Sequence, residues 1–150
     1  MKKKKLSQMI QLATMRHVPQ YDRAGEPYIL HPLEVMRILG SDDEELQCIA
    51  VGHDLFEDTF ATVSDGVVCL RGLGFSARVI EGITALSRIP GDTEEQYRER
   101  VMANKDAVLV KIADLQHNLD VRRLAVLTDG DANRMRRYHE FYKKLMSMRG

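Results

Sequence analysis

Apolar residues along the chain recur with the period of an α-helix, and this repeat constrains the fold more than any other feature. Leu6, Met9 and Ala13 show the i, i+3, i+7 spacing that places side chains on one helix face. The pattern returns in segments that begin near residues 31, 44, 62, 76, 93, 106 and 131. No pair of alternating runs flanks an Asn-Gly or Asp-Gly dipeptide, the usual signal of a β-hairpin. The sequence therefore predicts an all-α domain, a bundle of about seven to eight helices.

Proline and capping residues place the ends of several helices. Residues 17–32 contain three of the four prolines and break the helical period, so they are predicted to form an ordered loop. A second helix is expected over residues 31–39, with a proline in its first turn. Residues 41–44 read Ser-Asp-Asp-Glu, a capping-box pattern, and predict a long helix that continues past His53. Residues 93–96, Thr-Glu-Glu-Gln, predict a second capping box.

The composition excludes several classes of protein. A length of 150 residues fits a single domain. Lys and Arg total 22, as do Asp and Glu, so the chain lacks the basic excess of a nucleic-acid binder. No apolar run approaches the roughly 20 residues of a membrane span. Cys48 and Cys69 lie in apolar surroundings without the spacing of a metal finger, which predicts reduced thiols in a cytoplasmic protein.

The densest group of ionisable side chains lies in one short segment that is otherwise apolar. Within six positions it holds His53, Asp54, Glu57 and Asp58. On a helix, His53 and Glu57 would lie about 40° apart around the axis, and the four groups would share one side. Imidazole and carboxylate groups so arranged are suitable ligands for a divalent cation. A solvent-exposed face would also explain the charges, but the neighbouring apolar residues favour burial, where unpaired carboxylates are costly.

Two further polar positions lie outside this segment. His31 stands where a loop enters a helix, and Asp114 lies within an apolar helix with Asn118 one turn later. Taken alone, His31 is typical of a core or capping histidine, and Asp114 of a carboxylate paired with an arginine. They point to a shared site only in combination with His53 and Asp54.

Together these positions form a His…His-Asp…Asp signature, and the sequence around them is more specific. Residues 26–33 read Glu-Pro-Tyr-Ile-Leu-His-Pro-Leu, residues 53–59 His-Asp-Leu-Phe-Glu-Asp-Thr, and residues 111–118 Lys-Ile-Ala-Asp-Leu-Gln-His-Asn. In order and spacing they resemble the hydrolase domain of the RelA/SpoT alarmone enzymes and the small alarmone hydrolases of the MESH1 type, within the HD superfamily of metal-dependent phosphohydrolases. The resemblance covers residues 17–123 and implies an all-α HD-domain fold. Because the chain ends one helix later, we expect a single HD-type phosphohydrolase domain over residues 1–150, with no synthetase domain.

The resemblance implies a divalent metal site and names its ligands. In that family the ion is usually Mn²⁺, with another divalent ion as the alternative. The residues that match its ligands here are His31, His53, Asp54 and Asp114. Such an ion acidifies water and stabilises negative charge at phosphorus.

Catalytic and substrate roles follow from the same resemblance. Glu57 and Asp58 match a Glu-Asp pair that orients or deprotonates the attacking water and assists the leaving group, with the two roles left undivided. Asn118 matches a residue that contacts the nucleotide ribose. The implied reaction removes the 3′-pyrophosphate from ppGpp or pppGpp and gives GDP or GTP and pyrophosphate. The expected partner is therefore a small nucleotide, neither a nucleic acid nor a membrane, and the oligomeric state, homo-oligomers included, is left open.

Base recognition departs from the family pattern. The family usually has an arginine nine residues before the first histidine, where it stacks on guanine, but this chain has Asp22 there and Arg23 beside it. Arg23 could serve after a shift of one residue or meet a phosphate, and Asp22 could pair with the Watson–Crick edge of guanine. After Asn118 the family often continues Met-Arg-Thr, whereas residues 119–121 read Leu-Asp-Val.

Two other functions therefore stay open. The site could hydrolyse another nucleotide, such as an adenine alarmone or the 2′-phosphate of NADPH, if Asp22 and Val121 alter the base pocket. A nucleotide-sensing protein without turnover is the alternative of a different class. The intact set of imidazole and carboxylate groups argues against it, because a protein without catalysis has no need of so costly a charged group.

Overall fold

The computed structural model describes residues 1–149 of the protein as a bundle of helices. Within these residues it has nine α-helices and one short 3₁₀-helix, and the only strand-like pairing is an isolated antiparallel bridge between Tyr21 and Pro27. The helices are α1 Lys4–His17, α2 Leu30–Leu39, α3 Glu44–Gly52, α4 Leu55–Thr59, α5 Val63–Gly72, α6 Ala77–Ala85, α7 Glu94–Met102, α8 Lys105–Asn118 and α9 Asp129–Arg149, with the 3₁₀-helix Val121–Arg123 between the last two. The all-α prediction is confirmed.

Two of the predicted boundaries are confirmed. The expected loop over residues 17–32 corresponds to the connection between α1 and α2. At the start of α7, the Thr93 hydroxyl accepts a hydrogen bond from Gln96 N–H, and the Gln96 side chain accepts one from Thr93 N–H. This reciprocal pair is the capping box that residues 93–96 predict.

The capping box predicted at residues 41–44 is wrong, because a neighbouring residue takes the cap. Asp43 is the N-cap of α3, and its carboxylate accepts hydrogen bonds from the N–H groups of Glu45 and Leu46. The Ser41 hydroxyl instead accepts from Asp43 N–H, before the helix begins. A carboxylate binds two amides at the positive end of the helix dipole, which favours aspartate over serine there.

The prediction of one long helix that continues past His53 is also wrong. α3 ends at Gly52 and α4 begins at Leu55, with His53 and Asp54 in the turn between them. The His53 Nδ1 donates to the Ala50 carbonyl oxygen at 2.7 Å, an oxygen that a continuous helix would offer to Asp54 N–H. The imidazole thus competes with the helix for this acceptor. The break accounts for nine α-helices instead of seven or eight.

Helix α3 lies at the centre of the bundle and packs against α1, α2, α6 and α8. Ile49 and Val51 are fully buried in it, and burial of such a side chain stabilises the fold by about 1.5–3 kcal/mol. At Gly52 a Cβ would stand only 2.8 Å from the end of the Ile83 side chain, so any larger residue would force the side chains packed there to shift. The turn that follows α3 is therefore anchored in the core.

The structure also locates the two cysteines and shows the character of the helices. Cys48 is buried, Cys69 is half-buried, and neither forms a disulfide. In the part of the chain that the structure describes, no helix combines the length and the apolar character needed to cross a membrane.

Candidate active site

Four polar side chains converge below the surface from three parts of the fold. We call this set, His31, His53, Asp54 and Asp114, the ligand cluster. His31 comes from the first turn of α2, His53 and Asp54 from the turn between α3 and α4, and Asp114 from the middle of α8. His31, His53 and Asp114 are at most 4% exposed. The packing of α2 against both α3 and α8 brings them together.

The ring nitrogens and carboxylate oxygens of the cluster face one another at short range. The His31 Nε2 lies 2.8 Å from the Asp114 Oδ1 and 3.8 Å from the Asp54 Oδ2. The His53 Nε2 lies 3.0 Å from the Asp54 Oδ2 and 3.3 Å from the Asp114 Oδ1. Each of these imidazole nitrogens therefore faces one oxygen of Asp54 and one of Asp114.

The hydrogen bonding of His53 fixes which of its nitrogens carries the proton. Its Nδ1 faces the Ala50 carbonyl oxygen, which can only accept, so Nδ1 carries the hydrogen and neutral His53 has its lone pair on Nε2. That Nε2 is buried and has no hydrogen-bond partner among the described residues. It points instead at oxygens of Asp54 and Asp114, which are acceptors as well. Such a convergence of acceptor atoms is stabilised by positive charge between them, which a proton on Nε2 or a bound cation would supply.

These residues fit a divalent cation. Ligand atoms about 2.1 Å from one ion lie about 3.0 Å apart when they subtend a right angle. The measured separations of 2.8, 3.0, 3.3 and 3.8 Å have this magnitude. His31, His53 and Asp54 each offer an atom within 4.8 Å of the others, and Asp114 adds an oxygen in contact with both imidazoles.

The charges around the cluster also shift the pKa values of its residues. Burial alone would lower the pKa of His53, but the negative charges of Asp54 and Asp114 raise it well above its usual value. Burial works against ionisation of Asp114, yet the Lys111 ammonium holds the pKa of this carboxyl well below its usual range. Lys111 binds the Asp114 Oδ2 at 2.8 Å, so only Oδ1 is left for the cluster. The arginine partner that an isolated aspartate would suggest is thus replaced by a lysine one turn away.

Two residues that support the cluster were not identified from the sequence. The Tyr28 hydroxyl donates to the Asp54 Oδ2 at 2.5 Å, and the His31 Nδ1 lies 2.8 Å from the Nδ1 of His117. Tyr28 and His117 both fall within the sequence segments that carry the family resemblance. Their positions in those segments were therefore a signal, but nothing in their spacing indicated which atoms they contact.

Glu57 and Asp58 lie on α4 beside the cluster, on the side that opens to solvent. The Glu57 carboxylate accepts a hydrogen bond from Arg88 N–H at 2.6 Å. The Asp58 Oδ2 accepts a longer one, of 3.3 Å, from the Gln20 amide. Partial burial and the nearby charge of Asp54 raise the pKa of Asp58 to about 7. Asp58 therefore exchanges a proton near neutral pH.

A cavity of about 270 Å³ adjoins the cluster, and we call it the arginine cavity. Three arginines line it, together with Tyr28 and Asn118, whose side chains bond to Asp54 and Asp114. The arginines are Arg23, Arg123 and Arg134. Val121, in contrast, is not among the residues that line this cavity. Its departure from the family pattern therefore lies outside the pocket that we expected it to alter.

Asp22 also borders the arginine cavity, but its carboxylate is already engaged. The Asp22 Oδ1 accepts hydrogen bonds from the N–H groups of Ala24 and Glu26, each at 2.9 Å, and so closes the turn that carries Arg23. Its other oxygen lies 3.8 Å from the Arg123 guanidinium. Asp22 thus shapes the loop and is neutralised there, which removes the repulsion that a free carboxylate would exert on a polyphosphate.

Comparisons with known proteins extend the resemblance. No family model matches the chain. It is 34% identical over 126 residues to the bifunctional (p)ppGpp synthase/hydrolase SpoT of Escherichia coli, and the alignment covers 77% of this chain and 18% of SpoT. It is 32% identical over 117 residues to the guanosine-3′,5′-bis(diphosphate) 3′-pyrophosphohydrolase of Aquifex aeolicus, and this alignment covers 73% of this chain and 16% of that protein. The chain thus spans less than a fifth of the length of these relatives.

The fold agrees with a solved structure described as a metazoan ortholog of SpoT that hydrolyses ppGpp. The two superpose with a TM-score of 0.75 over 94% of this chain and 84% of the other, at 22% sequence identity. The likeness at this identity concerns the fold, while the sequence matches carry the relationship. The chain is thus a homologue of one part of the SpoT-type (p)ppGpp synthase/hydrolases and has the all-α HD-domain fold.

Proposed function

We propose that this chain is a metal-dependent (p)ppGpp 3′-pyrophosphohydrolase, and that residues 1–150 form one hydrolase domain. The observation that carries the proposal is the ligand cluster, in which the unpartnered Nε2 of His53 faces two carboxylate oxygens. The names of the relatives, SpoT and the 3′-pyrophosphohydrolase of Aquifex aeolicus, supply the substrate. The reaction adds water to the 3′-diphosphate and gives GDP or GTP and pyrophosphate.

His31, His53, Asp54 and Asp114 would hold the ion, and we propose Mn²⁺ ahead of other divalent cations. Mixed imidazole and carboxylate donors suit such ions. When bound, the ion supplies Lewis-acid chemistry, because it acidifies water and offsets charge at phosphorus. The free cysteines, Cys48 and Cys69, fit our inference that the enzyme acts in the reducing cytoplasm.

The proton transfers fall to the carboxylates on α4. Water must lose a proton as its oxygen bonds to phosphorus, and the 3′-oxygen must gain one as its bond to phosphorus breaks. Glu57 is held by Arg88 N–H at 2.6 Å, whereas Asp58 has only the 3.3 Å contact from Gln20. Asp58 is therefore less constrained by hydrogen bonds, and we assign to it the role of the base that takes the proton from water. Glu57 orients that water, and the proton that Asp58 takes up is the one that the 3′-oxygen gains as its bond to phosphorus breaks.

The arginine cavity is the proposed nucleotide site. Arg23, Arg123 and Arg134 supply positive charge for phosphate groups. Asn118 donates to Asp114 at 3.2 Å and accepts from Arg123 at 3.1 Å, so it links the ligand cluster to the cavity and can reach the ribose. The substrate would thus span from the cavity to the cluster.

Incubation of the purified protein with ppGpp and Mn²⁺ tests the proposal. We expect stoichiometric GDP and pyrophosphate, resolved by ion-exchange chromatography, and no turnover after the ion is removed by a chelator. Bound Mn²⁺ without release of pyrophosphate would refute the substrate assignment. Absence of Mn²⁺ binding would refute the metal site.

A second candidate is hydrolysis of a different nucleotide by the same residues. The observation that favours it is the engagement of Asp22 in its own turn, which leaves the neighbouring, exposed Arg23 free to contact a base. Comparison of kcat/KM for ppGpp, its adenine analogue and NADPH decides between the two. A preference of two orders of magnitude for ppGpp would remove this candidate, and equal activities would support it. Binding without any turnover would support the nucleotide-sensing alternative.

A further inference from the structure

The ring nitrogen of His31 that faces away from the ligand cluster has a partner of its own. The Nδ1 atoms of His31 and His117 lie 2.8 Å apart. The ring planes differ by 10° and the ring centroids are 5.0 Å apart. Stacked rings cannot approach closer than about 3.5 Å face to face, so a 2.8 Å contact between near-parallel rings must join their edges. The contact is an in-plane hydrogen bond and not a stacking interaction.

A hydrogen bond between two ring nitrogens needs one donor and one acceptor. A cation held by His31 takes the lone pair of its Nε2, and the proton of the neutral ring is then on Nδ1. His31 must therefore donate, and the Nδ1 of His117 must accept. His53 shows the same arrangement, since its Nδ1 donates to the Ala50 carbonyl oxygen. Both imidazoles of the cluster thus have a fixed acceptor behind them, one from the backbone and one from a side chain.

Helix α8 holds His31 from both sides. Asp114 faces the Nε2 of His31 at 2.8 Å, and His117 faces its Nδ1 at 2.8 Å. The two residues are three positions apart and so share a face of the helix. The His117 carbonyl oxygen accepts from Arg123 at 3.2 Å, which ties this end of α8 to the following 3₁₀-helix.

We propose that His117 is a positioning residue for the metal site: its Nδ1 accepts the Nδ1–H of His31 and so fixes the tautomer and the ring orientation that present the His31 Nε2 to the cation. This inference rests on the proposed metal site. It assigns a role to His117, which was not identified as a site residue from the sequence. Loss of such a partner commonly weakens metal affinity by about 10–100-fold.

Mn²⁺ binding, followed by the electron paramagnetic resonance signal of the free ion, tests the inference without reference to activity. We would compare wild type with His117→Phe, which keeps a flat ring without an acceptor, and His117→Asn, whose amide oxygen can replace Nδ1. His139→Phe, on the exposed part of α9, is the matched control. We expect Kd to rise about 10–100-fold for His117→Phe and less than about fivefold for His117→Asn, with His139→Phe unchanged.

The outcomes separate this inference from the proposed function. If wild type binds Mn²⁺ and His117→Phe binds it within twofold of wild type, the positioning role is refuted while the metal site stands. If wild type binds no divalent ion, both are refuted. Should His117→Phe fail to fold, long-range ¹H–¹⁵N spectra of the wild-type histidines loaded with Zn²⁺ give the tautomer directly. A proton on Nδ1 of His31 supports the inference, and a proton on its Nε2 overturns it.

Discussion

The ligand cluster and the arginine cavity lie side by side, yet they are built in different ways. The cluster residues come from helices or from a turn anchored in the core, and three of the four are at most 4% exposed. The cavity wall includes a loop residue, Arg23, that is exposed, and Arg123 of the short 3₁₀-helix. Buried charges have few acceptable arrangements, whereas exposed ones have many. This difference agrees with the sequence, in which the four cluster positions match the family pattern and Asp22, beside the cavity, departs from it.

Asp22 and Asp114 illustrate this contrast with the same side chain. Asp114 is buried, so its oxygens must be matched, and Lys111, Asn118 and the two imidazoles of the cluster surround it. Asp22 lies in a loop, where two backbone N–H groups satisfy one of its oxygens. The carboxylate of an aspartate in a loop can thus bind backbone N–H groups of its own turn. The role of such a residue therefore cannot be inferred from its matching position in a relative alone.

The largest expected effect comes from neutralising a carboxylate of the ligand cluster. Asp54→Asn removes a negative charge that faces both imidazoles, at 3.0 Å from His53 and 3.8 Å from His31. We expect kcat for ppGpp to fall at least about 10³-fold and the Mn²⁺ Kd to rise. Steady-state kinetics and Mn²⁺ titration measure both. Asp65→Asn, an exposed aspartate on α5, is the control, and equal losses in the two variants would contradict a specific role of the cluster.

Asp58→Asn should affect chemistry while it spares the metal. We expect kcat to fall by about 10²–10⁴-fold, as for loss of a general base, with Mn²⁺ Kd within about threefold of wild type. Glu57→Gln is the matched comparison and should cost less, because its hydrogen bond from Arg88 N–H can be kept by an amide oxygen. A larger loss for Glu57→Gln would exchange the two assignments.

The raised pKa of Asp58 also predicts a pH dependence of stability. A carboxyl whose pKa is about 7 in the folded protein and 3.8 in the unfolded chain binds more protons when folded between these values. The contribution of Asp58 to the stability of the metal-free protein should therefore decrease as the pH rises from about 4 to 7. The melting temperature of Asp58→Asn, measured by circular dichroism, should be higher than that of wild type at pH 7 and equal to it at pH 4. If the melting temperature of wild type is lower than that of the variant by the same amount at both pH values, the raised pKa of Asp58 is contradicted.

Tyr28→Phe tests the hydrogen bond by which a residue of the arginine cavity contacts the ligand cluster. The variant removes the 2.5 Å hydrogen bond to the Asp54 Oδ2 and keeps the ring. A hydrogen bond to a charged group contributes about 1.5–3 kcal/mol, so kcat/KM should fall by about 10- to 150-fold. The mutant kinetics give this value directly. No change in kcat/KM would mean that Asp54 is oriented by the cluster alone.

The smallest effect is expected at Asp22. Asp22→Asn keeps an oxygen for the N–H groups of Ala24 and Glu26, so KM should stay within about threefold of wild type. Asp22→Ala opens the turn that carries Arg23 and should raise KM further, with kcat nearly unchanged. A large loss of kcat in Asp22→Asn would show instead that the carboxylate contacts the substrate.

Much of the site could be predicted because its constraints are local. The spacing of His53 and Asp54, and the polar position of Asp114 in an apolar helix, are visible without a structure. The cap of α3 and the break at His53 were mispredicted, since Asp43 and Ser41 offer competing caps and the His53 ring competes for a backbone oxygen. Such competitions are decided by differences of about 1 kcal/mol that a pattern does not reveal.

By itself, the sequence determined the helical class and the three segments of the resemblance, and that resemblance implied the four residues of the ligand cluster. Periodicity and charge burial act over a few neighbouring positions, so they can be read along the chain. Only the tertiary structure decided that His117 stands behind His31, that Tyr28 reaches Asp54, and that Asp22 closes its own turn. The first two contacts join residues 86 and 26 positions apart, and the third depends on the loop conformation. Contacts of this kind arise only once α2, α3 and α8 pack together, because packing selects which polar atoms meet.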